Sequence, residues 1–300
     1  MTATTSTDLA TLLPSWELSL KAERKSPQTV KAYGDGVRRF LSWCAEHQRP
    51  AVLDRRTVNA FTNGLLEAGA EPSTARSRQL AVRRFSAWLL DEGEVDADPL
   101  LGLKAPKLDT KVVDPLSEAQ LKALLGTCTG RELRERRDEA IVRFMVETGA
   151  RAGEVVALGV SDVDLSTGVA IVRRGKGGKG RSVPFGPQTS RAIDRYIRVR
   201  RTHRLAATDA LWLGDRGKDF SYDALHKSLG ERAARAGIAD FRPHRLRHTA
   251  AHRWLAAGGS EGGLMAVAGW TRPDMLMRYT RAQASERAAD EARGLNLGDW

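Results

Sequence analysis

A chain of 300 residues, 41% of them hydrophobic, is long enough to bury two compact cores. Its 48 Lys and Arg against 37 Asp and Glu give a formal charge of +11, an excess that favours a polyanionic partner, either nucleic acid or an anionic membrane surface. No apolar run approaches the roughly 18 residues that span a bilayer, and the opening MTATTSTDLATLLPSW has neither a basic n-region nor an apolar h-region. The expectation is therefore a cytoplasmic protein that acts on nucleic acid.

The first ninety residues read as helical. Leu12, Leu13, Trp16, Leu18 and Leu20 suggest a first amphipathic segment. Ser26-Pro27 then caps a second, with Val30, Tyr33, Val37, Phe40, Leu41 and Cys44 recurring every three or four residues. A third helix fits Arg55 to Glu67, and after Gly69-Ala70-Glu71-Pro72 a fourth fits Ser73 to Leu90. Leu80, Val82, Phe85, Trp88 and Leu89 form the apolar side of the fourth, and Arg76, Arg78, Arg83 and Arg84 its polar side. That arginine face suits a grip on DNA phosphates, and equally suits a solvated helix surface. Cys44 and Cys128 stand in no ligand-spaced pair and read as buried small hydrophobes rather than a disulfide.

Pro99, Pro106 and Pro115, with Lys104, Lys107 and Lys111, mark a connecting stretch of little periodic apolar content. The domains are expected at 1–105 and 117–300, with a linker over 106–116. Ser117 and Gln120 have capping-box spacing at the start of the second domain. Helices are expected over Leu121–Thr127 and Asp138–Thr148, after which Gly149-Ala150 turns into Arg151 at a new helix start. Arg151 alone reads as a surface charge or a partner for Glu154.

Val169 to Arg174 and Arg181 to Phe185 are short strands separated by Gly-Lys-Gly-Gly-Lys-Gly, a hairpin with a basic tip. Gly175 and Gly180 have P-loop spacing, but Arg181-Ser182 stands where Lys-Ser/Thr should be and the chain continues as strand, so nucleotide binding is rejected. Helices follow at Gln188–Arg201 and Tyr222–Ala236, the latter capped by Ser221.

Pro243 to Thr280 carries the unusual inventory: His244, Arg245, Arg247 and His248 at a helix start, then Trp270, then Tyr279 between Arg278 and Arg281. His244, His248 and His252 at i, i+4 and i+8 could suggest zinc, yet no accompanying Cys, Asp or HExxH glutamate supports it. Trp270 alone would read as core, and Tyr279 alone as unremarkable. Together the residues suit a phosphodiester substrate. Arg151 and Arg247 supply bidentate permanent charge for the non-bridging oxygens. His244, three residues before Arg247 and hence on the same helical face, can exchange a proton near neutral pH. Tyr279 is the potential nucleophile, Lys176 can protonate the leaving oxygen, and the Trp270 indole N–H can donate to a phosphate oxygen. Every role is filled without metal or cofactor.

This joint pattern resembles the tyrosine recombinase (phage integrase) family, in its simple two-domain, Xer-like form, over nearly the whole chain. Thr148-Gly149-Ala150-Arg151-Ala152-Gly153-Glu154 resembles the box of the first catalytic arginine, although Gly153 stands where Ser is often found. Gly175 to Arg181 resembles the hairpin whose lysine, Lys176 rather than Lys179, is the general acid. His244-Arg245-Leu246-Arg247 resembles the HxxR box, Trp270 holds the His-or-Trp position, and Tyr279 falls at the nucleophile. The resemblance implies a mainly α fold with a small β-hairpin. A helical, SAM-like core-binding domain and a mixed α/β catalytic domain would form a C-shaped clamp on double-stranded DNA. It implies site-specific recombination through a 3′-phosphotyrosyl link and a Holliday junction within a homo-tetramer, with the tail Ala282–Trp300 packing in trans. Arg174, Lys179, Arg181 and Arg245 join Arg76, Arg78, Arg83 and Arg84 as candidate DNA contacts. A type IB topoisomerase-like nicking and closing enzyme, or a non-catalytic DNA-binding protein on the same fold, are the alternatives.

Overall fold

The computed structural model describes residues 8–108, 114–173 and 180–272, together with 276, 289 and 292–295. The chain divides into two compact units, Met1–Lys111 and Val112–Trp300.

The first unit is four helices: α1 (Leu9–Ala22), α2 (Pro27–Glu46), α3 (Arg55–Glu67) and α4 (Pro72–Asp91). Three have the side-chain cap their sequence offers, with Asp8, Ser26 and Asp54 accepting from the backbone N–H groups of Ala10, Thr29 and Thr57. The core between them is aromatic. Trp16 meets Phe85 at 5.1 Å, Phe40 meets Phe61 edge-on at 5.4 Å, and Phe40, Phe61 and Phe85 are fully buried. Two leucines depart from the expected apolar sides: Leu18 is 67% exposed and Leu80 38% exposed. On α1 the buried side chains are Leu9, Leu13, Trp16 and Leu20, a spacing that leaves Leu18 on the opposite face.

The second unit holds α5 (Glu118–Gly126), α6 (Leu133–Thr148), the short α7 (Ala152–Val156), strands β1 (Val163–Asp164), β2 (Val169–Val172) and β3 (Arg181–Pro184), then α8 (Pro187–Arg200), α9 (Tyr222–Arg235), α10 (Pro243–Ala256) and α11 (Glu261–Ala268). The Ser117–Gln120 capping box is formed in both directions. The strands make an antiparallel sheet in the order β1-β2-β3, with Val172 opposite Arg181 and Val169 opposite Pro184. Sequence alone does not predict β1, because two residues are too few to show an alternation. α6 begins five residues earlier than expected, since its first turn is the charged run Leu133 to Arg137, which carries no apolar period. Cys44 and Cys128 are free and buried, and burial raises the Cys128 thiol to about 11.

In the second unit, a buried ionic network fixes α6 against α9. Asp138, fully buried, accepts from Arg137 Nε at 3.1 Å, Ser228 Oγ at 2.8 Å and Arg232 Nε at 2.8 Å. Arg137 also donates to Leu213 O and Asp215, and Arg232 to Thr127 O and Glu135. Each guanidinium thus brings loop carbonyls into the helix pair. Asp138→Ala leaves two buried cations without their shared carboxylate and is expected to cost about 3–5 kcal/mol in denaturant unfolding of the second unit. A loss under about 1 kcal/mol would show that Asp215, Glu135 and the loop carbonyls suffice to hold the guanidiniums.

Candidate active site

Arg151 is the N-cap of α7, two residues after the left-handed turn at Gly149 (φ 63°) that ends α6. Its position is set by Glu154 one helical turn on. Glu154 accepts the Arg151 backbone N–H at 2.8 Å and its Nη1 at 2.8 Å. Arg151 Nη2 lies 3.4 Å from the Gly269 carbonyl, and its side chain stays 29% exposed. The guanidinium is therefore held, yet open to a ligand.

Glu154 also takes both ends of a second fork: Arg181 donates Nη1 and Nη2 to its two oxygens at 2.9 and 2.8 Å, while Arg181 Nε donates to Val267 O at 2.7 Å. Burial alone would raise the Glu154 carboxyl. The Arg181 fork, the Arg151 backbone N–H and the Arg151 guanidinium outweigh it and hold the group at about 2.

Arg247 projects from α10 and is 2% exposed. It donates to Gly149 O at 2.5 Å and to Ala268 O at 2.8 Å, with its guanidinium carbon 5.1 Å from the centre of the buried Trp270 ring. Val267, Ala268 and Gly269 thus offer three successive carbonyls at the end of α11 to three arginines from β3, α10 and the start of α7. Gly269 permits this in two ways. Its φ of 65° is left-handed, and a Cβ there would lie 3.1 Å from the Arg181 guanidinium.

His244 stands in the first turn of α10 with part of its surface open to solvent and its ring against His248. Partial loss of hydration against the protein, and then the charges of Arg247 and Arg151, hold its imidazole below the ordinary value. His248 packs edge-on against it at 4.8 Å. Burial first, then the neighbouring His244 and His252, lower His248 to about 4, so it stays neutral and structural. Arg151 and Arg247 thus meet at the carboxyl end of α11, Trp270 lies against Arg247, and His244 stands one turn before Arg247 on α10.

Lys176 and Tyr279, with Arg174, Lys179 and most of the tail from Ala282, lie outside the described residues. Of the remaining candidate DNA contacts, Arg181 turns inward to Glu154, and Arg245 donates to the carbonyls of Asp114 and Ala239. On α4, Arg76 and Arg84 are exposed, and Arg78 lines a groove with Gln28, Lys31, Ser73, Thr74 and Ser77. The inward role of Arg181 escapes sequence reading because its partners lie 27 and 86 residues away.

Comparison with known proteins agrees with this architecture. Residues 115–286 match the phage integrase family and residues 13–93 its N-terminal SAM-like domain. Tyrosine recombinase XerD of Ralstonia nicotianae is 39% identical over 236 residues, covering 77% of this chain and 76% of its own. Among solved structures, the Tn1549 transposon integrase in complex with transposon right end DNA aligns with a TM-score of 0.73 at 18% identity, over 96% of this chain and 99% of that one. A λ integrase tetramer bound to a Holliday junction aligns at 0.69 and 14% identity, over 91% and 78%. With one family matched across more than half its length and a second match on its N-terminal domain, the chain belongs to the phage integrase family of tyrosine recombinases.

Proposed function

We propose that this protein cuts and rejoins double-stranded DNA at a specific site, using Tyr279 as nucleophile. The observation that carries the proposal is the convergence of Arg151 and Arg247 on the carboxyl end of α11, beside Trp270 and His244. Two guanidiniums fixed from separate elements suit one scissile phosphate. They neutralise its non-bridging oxygens as charge builds in the pentacoordinate transition state, with no reorganisation left for the moment of reaction.

Tyr279 Oη attacks phosphorus and the bond to the 5′ oxygen breaks. His244 takes the phenolic proton, and Lys176 gives one to the departing 5′ oxygen. The products are a 3′-phosphotyrosyl link and a free 5′-hydroxyl. In rejoining, a 5′-hydroxyl from a second duplex displaces the tyrosine. The link conserves the energy of the broken bond, so the cycle needs neither ATP nor a metal. Strand exchange through a Holliday junction calls for four copies on two synapsed duplexes, with Ala282–Trp300 as the segment available to join neighbouring subunits. A cytoplasmic site of action fits DNA as substrate, and no helix among the described residues is long and apolar enough to cross a membrane.

Covalent capture tests the chemistry. Incubated with fragmented DNA from its source and then denatured, the protein is expected to yield a peptide carrying a 3′-phosphate on Tyr279, and Tyr279→Phe to yield none while still binding DNA. An adduct that persists in the Phe variant would reassign the nucleophile. The depressed His244 also sets a pH profile. Its neutral, proton-accepting form persists below the ordinary imidazole range, so the acid limb of the second-order cleavage rate is expected below that range and absent in His244→Gln. A limb at or above the ordinary value would remove His244 as acceptor. On α4, the Arg76→Ala/Arg83→Ala pair is expected to make the salt dependence of DNA binding shallower, by about one in the log–log slope for each phosphate these arginines neutralise. An unchanged slope would leave the two arginines as solvated surface.

A further inference from the structure

Arg181 resembles a surface residue in the sequence but is built as an interior one. It opens β3, its backbone is registered against Val172, and its side chain is 12% exposed. The Glu154 carboxylate it grips is 5% exposed and accepts four hydrogen bonds, two from Arg151 and two from Arg181. The fork is planar and bidentate, and the Nε of the same guanidinium is fixed to Val267 O.

Charge arithmetic gives this arrangement a consequence. A carboxylate that orients Arg151 by a salt bridge also cancels its charge. The isolated Arg151–Glu154 pair would present a neutral face to a phosphate, and an uncancelled cation is what the Arg151 role requires. With Arg181 on the far side of the carboxylate, the trio carries one net positive charge, and the side chain facing outward is Arg151, at 29% exposure against 12% for Arg181.

We propose that Arg181 is a positioning residue for Arg151: it balances Glu154, so that the carboxylate can orient the Arg151 guanidinium without cancelling the charge it brings to a phosphate. The inference rests on the reading of Arg151 as a phosphate ligand. The glycine at 269 is part of the device, since any β-carbon there would press on the Arg181 guanidinium.

Inorganic phosphate serves as the probe, titrated calorimetrically into the full chain at neutral pH and constant ionic strength. Melting temperature and affinity for a random DNA duplex serve as controls for folding. Arg151→Gln and Arg181→Gln are each expected to weaken phosphate binding about tenfold. The double variant Glu154→Gln/Arg181→Gln returns the trio to one net positive charge and is expected to recover most of that loss. A merely structural Arg181 would make the double variant, stripped of both anchors, no better than the single one. Arg181→Lys, which keeps the charge without the fork, is expected to stay within about threefold of wild type.

If Arg181→Gln binds phosphate like wild type while Arg151→Gln does not, or if the double variant recovers nothing, the inference is overturned and the Arg151 reading stands. If Arg151→Gln itself changes nothing, both fall. Should Arg181→Gln fail to fold, Arg181→Lys decides alone. Affinity near wild type supports the charge-balancing role, and a loss as large as that of Arg151→Gln overturns it.

Discussion

The carboxyl end of α11 is the constraint on which the catalytic unit depends. A helix leaves its last carbonyls without intrahelical partners and carries partial negative charge there. In many proteins water or a glycine turn satisfies such groups. Here Val267, Ala268 and Gly269 receive Arg181, Arg247 and Arg151 in succession. Because the three carbonyls are successive on one backbone, the spacing of the three guanidiniums is set by that backbone rather than by side-chain rotamers. The left-handed conformation at Gly269, where a Cβ would press on Arg181, makes this possible.

The other end of the arrangement is anchored through α6. Its carboxyl end turns at Gly149, whose carbonyl accepts from Arg247, and two residues later the chain delivers Arg151. Its amino-terminal half carries Asp138, the centre of the buried network to α9. The same chemistry, a carboxylate between two guanidiniums, thus occurs twice. Around Asp138 the two buried arginines also meet Asp215 and Glu135, and Arg134 lies 3.9 Å from the same carboxylate, so further carboxylates balance the charge and the network holds helices together. Around Glu154 one arginine remains nearly a third open to solvent. The Asp138 cluster is balanced by further carboxylates, whereas the Glu154 trio keeps one net positive charge.

The helices are largely legible in the sequence because their punctuation is local. Ser26, Ser117 and Ser221 cap where the sequence places a cap, and α3 spans Arg55–Glu67 as expected. Leu18 and Leu80 mislead for a related reason: apolar character counts toward a core only when the residue shares an azimuth with its neighbours. Of the candidate site, Arg151, His244, Arg247 and Trp270 are legible in the sequence as a joint pattern of residue types, though each alone has a bland reading. Glu154 is visible as a partner for Arg151 at three residues' distance. Arg181 is not legible, since a basic residue beside a Gly-Lys loop reads as outward-facing, and no local pattern reports a carboxylate reached across the fold.

What the architecture gains from so many fixed arginines follows from where the desolvation cost falls. Burying a guanidinium is unfavourable unless its donors are met. Arg247 meets it with two carbonyls and the face of Trp270, Arg181 with Glu154 and a carbonyl, and Arg151 with the same carboxylate. These costs are met on folding, by backbone groups that would otherwise end a helix unsatisfied. A phosphate arriving at the site then finds charge already stripped of part of its water and already oriented. Acidic partners alone could not achieve this, because each carboxylate added to hold an arginine would subtract the charge the phosphate needs. Neutral carbonyls hold without subtracting, and where a carboxylate is used, a second arginine restores the balance.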